Sequence, residues 1–292
     1  MAVKNAQVKS ALALSIEEKL GYPMVKRITP LVTQNDRYQS DKNKDNQYTV
    51  RTQHGTLKRA LKRQQLIKIQ RQQNLEAIMG MALTLCPEVT ARGRPDPDWL
   101  EHFITLAEDI ANHSMQKLWA KILVGESITP GTFSIKSLQT LKMMTQREAT
   151  ALQRCAPLCG YLEKEDSYLI LHGYYKKPSI FDLLRKGSTE SINLSQAGLN
   201  FPNILTLMDI NILYRQEIES ASLQKGQSMQ LVYLRKKMTL TAKSNDLVLS
   251  YYKLTQTGDE LKKLLQSPIN KQYKQLVEKA FESEFSLEWE DR

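Results

Sequence analysis

Residues 56–85 form a long stretch without proline whose apolar content changes halfway. Leu57, Leu61 and Ile67 make a thin stripe in the first half. Leu75, Ile78, Met79, Ala82 and Leu83 make a full one in the second. Apolar residues three and four apart share one helical face. The spacing therefore predicts a helix that docks by its C-terminal half, projects its N-terminal half and stops at Pro87. Asp96 reads as the N-cap of a second helix, with Pro97 at its first position and Trp99, Phe103, Leu106, Ala107 and Ile110 on one face. Ser114 is expected to cap a third, apolar at Met115, Leu118, Trp119, Ile122 and Leu123 and ended by Gly125. After a turn at Pro130-Gly131, Ser134 caps a helix with Ile135, Leu138 and Leu141. Thr145 with Glu148 forms a capping box for another. Residues 56–162 read as a helical domain with short loops.

The period changes after Glu163. Strands are predicted at 168–175, 212–218, 230–234, 238–241 and 247–252 from their β-branched and aromatic content, with a short apolar piece at 180–184. Ser195 opens a small helix and Pro202 another, with Ile204, Leu205, Leu207 and Met208 inward. A helix from Thr255 carries Leu261, Leu264 and Leu265, and a last one runs from Pro268 to about Phe281. Residues 1–55 contain Pro23, Pro30 and the polar run 34–47, which buries too little to offset its ordering entropy. They read as a flexible basic arm, and residues 267–292 as a C-terminal helix with an acidic tail.

Charge divides the chain. Of 41 Lys+Arg and 31 Asp+Glu, the first 75 residues hold 15 basic and 5 acidic, leaving 26 of each for the remainder. No acid occurs between Asp45 and Glu76, while Lys58, Arg59, Lys62, Arg63, Lys68 and Arg71 fall in the projecting half-helix. A local cationic surface calls for an anionic partner: nucleic acid, an acidic protein face or anionic lipid. Self-neutralisation by Glu282, Glu284, Glu288, Glu290 and Asp291 is the plainer reading. No run of 18 apolar residues predicts a membrane span. Ala11-Leu12-Ala13-Leu14 is too short for an export signal before Glu17-Glu18. Three cysteines give no disulfide framework, so cytoplasm is the expected compartment.

Recognisable reaction chemistry is missing. No Gly-x-Ser-x-Gly, His-Glu-x-x-His, complete phosphate loop or dinucleotide glycine fingerprint occurs. Lys186-Gly187-Ser188-Thr189 lacks the upstream glycine and reads as a loop. Cys155 and Cys159 share a helical face without a third ligand and read as core thiols. His54, His102, His113 and His172 fit no metal or nucleophile pattern. Trp99 and Trp119 read as core. Glu126, directly after Gly125, reads as a cap or ion-pair partner rather than a catalytic carboxylate. No enzyme activity, cofactor or metal is expected.

Asp98-Trp99-Leu100, Gln116-Lys117-Leu118-Trp119-Ala120-Lys121-Ile122-Leu123-Val124-Gly125-Glu126 and Pro130-Gly131-Thr132-Phe133-Ser134 resemble an uncharacterised bacterial domain-of-unknown-function family. Its pattern is Gln-x-Leu-Trp-Ala-x-Ile-Leu-x-Gly-Glu, then Pro-Gly-x-Phe-Ser, then Leu-Thr-x-x-Gly-x-x-Leu, here Leu254 to Leu261. The resemblance covers roughly residues 56–265 and departs at Val124, where a small residue is expected. It implies a family without an assigned activity. A looser similarity of the helical part to abortive-infection proteins implies phage defence.

Residues 202–261 also resemble the end of a winged-helix domain: a helix, a β-rich stretch, then Leu-Thr-x-x-Gly opening the closing helix. The resemblance implies a winged-helix-like α+β domain over 163–266. The expected fold class is then mainly α with a smaller α+β part, an N-terminal helical bundle followed by that domain. In many winged helices the third helix enters the major groove. Here that helix has no Lys or Arg, and the cations Arg235, Lys236, Lys237 and Lys243 fall on the implied wing. The expected function is non-specific nucleic-acid binding through the basic arm and helix, assisted by the wing. The alternative is a protein-interaction or defence component.

Overall fold

Side-chain caps set where most helices begin. The computed structural model describes residues 16, 18–21, 24–26, 48–50, 56–86, 94–177 and 189–291. Most of the expected arm, the 180–184 piece and Lys186-Gly187-Ser188 lie outside them. Two compact units are present, Met1–Ala77 and Ile78–Arg292. In the first, β1 (Met24–Lys26) pairs antiparallel with β2 (Tyr48–Val50). The long helix is α1 (Thr56–Leu85).

In the second unit the Asp96 carboxylate accepts from the Trp99 amide at 3.0 Å and opens α2 (Pro97–Ala107). Asn112, rather than Ser114, caps α3 (His113–Ile128), accepting from the Met115 amide at 3.2 Å. This helix continues past Gly125 to a cap at Thr129. Ser134 caps α4 (Ile135–Met143). The reciprocal box of Thr145 and Glu148 opens α5 (Gln146–Cys155), satisfying two of the donors a helix start leaves free. Residues 194–198 form turns instead of the helix expected at Ser195. Asn200 caps α6 (Phe201–Asp209), Thr255 caps α7 (Gln256–Lys263) and Asn270 caps α8 (Lys271–Phe281).

Eight strands make one antiparallel sheet: β3 (Gly160–Leu162), β4 (Ser167–Lys176), β5 (Thr189–Ser191), β6 (Ile218–Glu219), β7 (Ser228–Tyr233), β8 (Lys236–Ala242), β9 (Leu247–Lys253) and β10 (Phe285–Asp291). Their order is β10-β8-β7-β3-β4-β9-β6, with β5 on β4. This corrects the expected fold class. The protein is α+β, and β7 and β8, expected as a wing hairpin, are interior strands. Three strands account for much of the error. β3 and β5 are three residues each, too short to show a period. β10 is the stretch taken for an acidic tail. Its Phe285, Leu287 and Trp289 alternate with Ser286, Glu288 and Glu290, the two-residue period of a strand with one buried face. It pairs with β8 from Phe285 opposite Ala242 to Asp291 opposite Lys236.

Helix α8 closes the core against this sheet. Tyr273, Val277 and Phe281 are fully buried, and the Tyr273 hydroxyl donates to the Leu171 carbonyl at 2.9 Å. Phe281, Phe285 and Tyr174 form an aromatic cluster with centroid separations of 5.2–5.5 Å. Buried rings in such tilted contacts gain about 0.5–1.5 kcal/mol per pair beyond their area term.

Candidate functional site

Most of the family-like residues converge on the turn between α3 and α4, while Gln116 sits at the start of α3. Glu126, 2% exposed, accepts from the Gly131 amide through Oε1 and from the Phe133 amide at 2.9 Å through Oε2. Trp99 Nε1 donates to the Phe133 carbonyl at 2.6 Å. Gln116 is also buried, its Nε2 donating to the Ile110 carbonyl at 2.9 Å. A Cβ on Gly125 would lie 3.0 Å from the Phe133 ring, so this glycine makes room for a neighbour rather than ending a helix. Glu126 has both oxygens committed to backbone amides, which holds a loop and leaves no oxygen free of protein donors.

A second carboxylate completes the hub. Glu260 of α7, 5% exposed, accepts from the Ser134 amide at 2.6 Å and hydroxyl at 2.9 Å through Oε2, and from Gln256 Nε2 at 2.9 Å through Oε1. Thr255 Oγ1 accepts from the Gly258 amide at 3.1 Å while donating to the Asn211 carbonyl at 2.6 Å. A Cβ at Gly258 would fall 2.2 Å from the Ile212 carbonyl oxygen, so only glycine lets α7 approach that backbone. Residues that look like a functional signature thus hold the helices and the α7 start together.

Other titratable groups are structural by the same criterion. Asp259 accepts from the Tyr168 amide at 2.8 Å and the Ser167 hydroxyl at 2.9 Å. Burial pushes its carboxyl up to about 6, the two donors opposing that shift. Cys155 and Cys159 are buried with sulfurs 3.6 Å apart, and burial raises the Cys159 thiol. No group of three or more metal-ligating side chains occurs among the described residues. His172 Nδ1 lies 2.7 Å from Glu217 Oε1 at the surface.

The candidate cations fall on two elements, α1 and strand β8 with its flanks. On α1, Lys58, Lys62, Arg63, Lys68 and Arg71 are exposed and Arg59 is half-buried, with Arg59 Nη2 donating to Thr56 Oγ1 at 3.2 Å. No carboxylate among the described residues pairs with Lys58, Lys62, Arg63 or Lys68. At about 100° per residue, Lys58 and Lys62 share one side, Arg59 and Arg63 the next, and Lys68 and Arg71 the opposite one. Positive charge wraps the helix rather than forming a stripe. The remaining cations flank or lie on β8. Arg235 is exposed in the β7–β8 turn. Lys236 pairs with Asp291 at 2.8 Å, and Lys237 stands opposite Glu290. Lys243, beyond the other end of the strand, donates to the Glu282 carbonyl at 2.6 Å. A strand rises about 3.3 Å per residue, so Arg235 and Lys243 stand roughly 26 Å apart.

Sequence reasoning missed Glu260, Asp259 and Lys262, three neighbours on α7 that are buried or half-buried. Each looks like an ordinary exposed charge in a short polar helix, and only the tertiary partner reveals its burial. No helix of the described residues is long and apolar enough to cross a membrane. Comparison with curated proteins found no match, and neither did comparison with solved structures. A family pattern described as "Protein of unknown function (DUF2806)" matches residues 58–278, most of the chain and all of the signature hub, so the protein belongs to that family.

Proposed function

We propose that the protein is a cytoplasmic nucleic-acid-binding protein that holds phosphates on α1 without reading base sequence. The carrying observation is the set of exposed cations Lys58, Lys62, Arg63 and Lys68, which have no carboxylate partner among the described residues. From Thr56 to Leu75 the helix contains no acid. Lys58 to Arg71 spans about 20 Å of helix axis, a length over which duplex DNA presents roughly 12 phosphates. Cations distributed around a helix supply phosphate affinity but no fixed donor pattern toward base edges. Helix α6 has neither Lys nor Arg.

Fluorescence anisotropy of a labelled 20-base-pair duplex in rising salt tests this. Four phosphate contacts, from Lys58, Lys62, Arg63 and Lys68, give a slope of log K against log[salt] of about −3.6. Unrelated duplexes should bind within a few-fold of one another. Absence of binding at about 50 mM salt, where such contacts are strong, overturns the reading.

A second reading rests on Leu57 and Ile69, 72% and 54% exposed on the same helix. Apolar residues between cations suit a protein partner with an acidic, partly apolar face, in keeping with an interaction or phage-defence component. Capture of a defined partner that survives nuclease treatment, with no binding of purified duplex, favours this reading over the first.

A further inference from the structure

Lysine is seldom buried without a paired anion, because an ammonium taken from water loses its hydration. Lys262, at the end of α7, is 8% exposed, and no carboxylate among the described residues pairs with it. Its Nζ donates one bond, to the Leu265 carbonyl at 3.2 Å, and lies 5.1 Å from the centre of the Tyr168 ring. An ammonium has three donors, so one carbonyl and one aromatic face leave it under-used.

This lysine lines a cavity of about 360 Å³ together with Cys159, Tyr161, Tyr168, Tyr233 and Ser267. Two further lining groups are short of partners. Ser267 Oγ is buried with no hydrogen bond among the described residues. Tyr233 Oη has none of standard geometry either, and the Tyr273 hydroxyl beside it is given to the Leu171 carbonyl. Burial pushes the Tyr233 phenol up, which keeps it a neutral donor. The rings of Tyr161 and Tyr168, with centroids 5.1 Å apart, form part of the wall.

We propose that this cavity binds a small organic anion: a carboxylate or phosphate head on a flat, apolar, single-ring body. The Lys262 ammonium takes the charged head, the Ser267 and Tyr233 hydroxyls serve its remaining lone pairs, and the tyrosine rings cover the body. The volume sits at the small end of ligand pockets, roughly 300–1,000 Å³, which sets the one-ring limit. The site shares no residue with the cationic part of α1 and stands or falls independently of nucleic-acid binding.

Titration calorimetry of the full chain with benzoate, phenyl phosphate and the neutral benzamide tests it. At least one of the two anions should bind with a Kd of about 1 mM or tighter, and benzamide at least about tenfold more weakly, the size of one charge-assisted hydrogen bond. Which anion binds better separates a carboxylate from a phosphate head. Lys262→Met, which keeps the buried stem, should weaken the anion about tenfold or more. Tyr233→Phe and Ser267→Ala should each weaken it about threefold. Should Lys262→Met fail to give folded protein by circular dichroism, the other two variants and the benzamide comparison decide. No anion binding at about 5 mM, benzamide binding as well as benzoate, or unchanged affinity in the folded variants overturns the proposal.

Discussion

Glu260 and Ser134 lie 126 residues apart, yet one oxygen of the glutamate accepts from both the amide and the hydroxyl of the serine, at 2.6 and 2.9 Å. This pairing fixes α7 against the start of α4. A carboxylate 5% exposed loses its hydration on folding, and these bonds replace it. Glu260→Ala should lower the unfolding free energy by about 2–4 kcal/mol and Ser134→Ala by about 1–2. The pair should show a coupling of about 1 kcal/mol or more in a double-mutant cycle by urea denaturation. Additive single effects would mean that the contact carries no energy of its own.

Glu126 separates a structural from a catalytic role. Both oxygens hold the amides of Gly131 and Phe133, so Glu126→Ala should cost about 2–4 kcal/mol of stability. Duplex affinity measured well below the melting temperature should stay unchanged. Trp99→Phe removes one buried donor to the Phe133 carbonyl and should cost about 1–3 kcal/mol. A stable Glu126→Ala protein would refute the loop-clasp role.

Asp259 gives a pH signature. Its carboxyl is raised from 3.8 to about 6, chiefly by burial, so the folded state holds a proton that the unfolded state has released. Between those values the native state binds more protons, and stability falls as pH rises. The contribution from this group is fully present below about pH 4 and lost by about pH 6, the reverse of a salt-bridged carboxylate. Asp259→Asn should flatten this part of the curve of urea midpoint against pH while still accepting from the Tyr168 amide. An unchanged slope between pH 4 and 6 would assign the titration to another group.

The parts of this structure that could be read from sequence are those decided within four residues. Asp96 with Trp99, Thr145 with Glu148, and Thr255 with Gly258 each meet as hydrogen-bond partners locally, and each pair opens the expected helix. Strands β4, β7, β8 and β9 also lie close to the predicted stretches. What escaped depends on distant partners. Lys236 looks like an unpaired wing cation because Asp291, which neutralises it, follows 55 residues later. Glu290 and Asp291 look like an acidic tail because the basic end of β8 opposite them is equally remote. Glu260 and Lys262 have the composition of an exposed helix and are buried only because the sheet and α4 reach them.

Strand β10 tests how that tail contributes. Phe285 is 1% exposed in the cluster with Tyr174 and Phe281, so Phe285→Ala should cost about 3–5 kcal/mol. Asp291, largely exposed in its pair with Lys236, should tolerate Asn with no shift in the urea midpoint, as expected of a surface ion pair. Deleting residues 285–291 would leave β8 as an unprotected edge, the arrangement that promotes strand-to-strand association. The truncated protein should elute as oligomers in size-exclusion chromatography while the Asp291→Asn protein elutes with the wild type.

The two groups of cations predict opposite salt behaviour. Lys58, Lys62, Arg63 and Lys68 have no carboxylate to leave among the described residues, so a phosphate meets them at little cost. Replacing all four by Gln should reduce the magnitude of the salt slope by about 3–4, since each lost contact removes about 0.9. At about 100 mM salt this corresponds to a loss of several hundred-fold or more in affinity. Lys236 is paired with Asp291, and Lys243 is bonded to the Glu282 carbonyl. Lys236→Gln with Lys243→Gln should therefore leave the slope within about 0.5 of wild type. The opposite pattern, a slope that responds to the β8 pair and ignores the α1 quartet, would move the interface to the sheet and remove α1 from the proposed function.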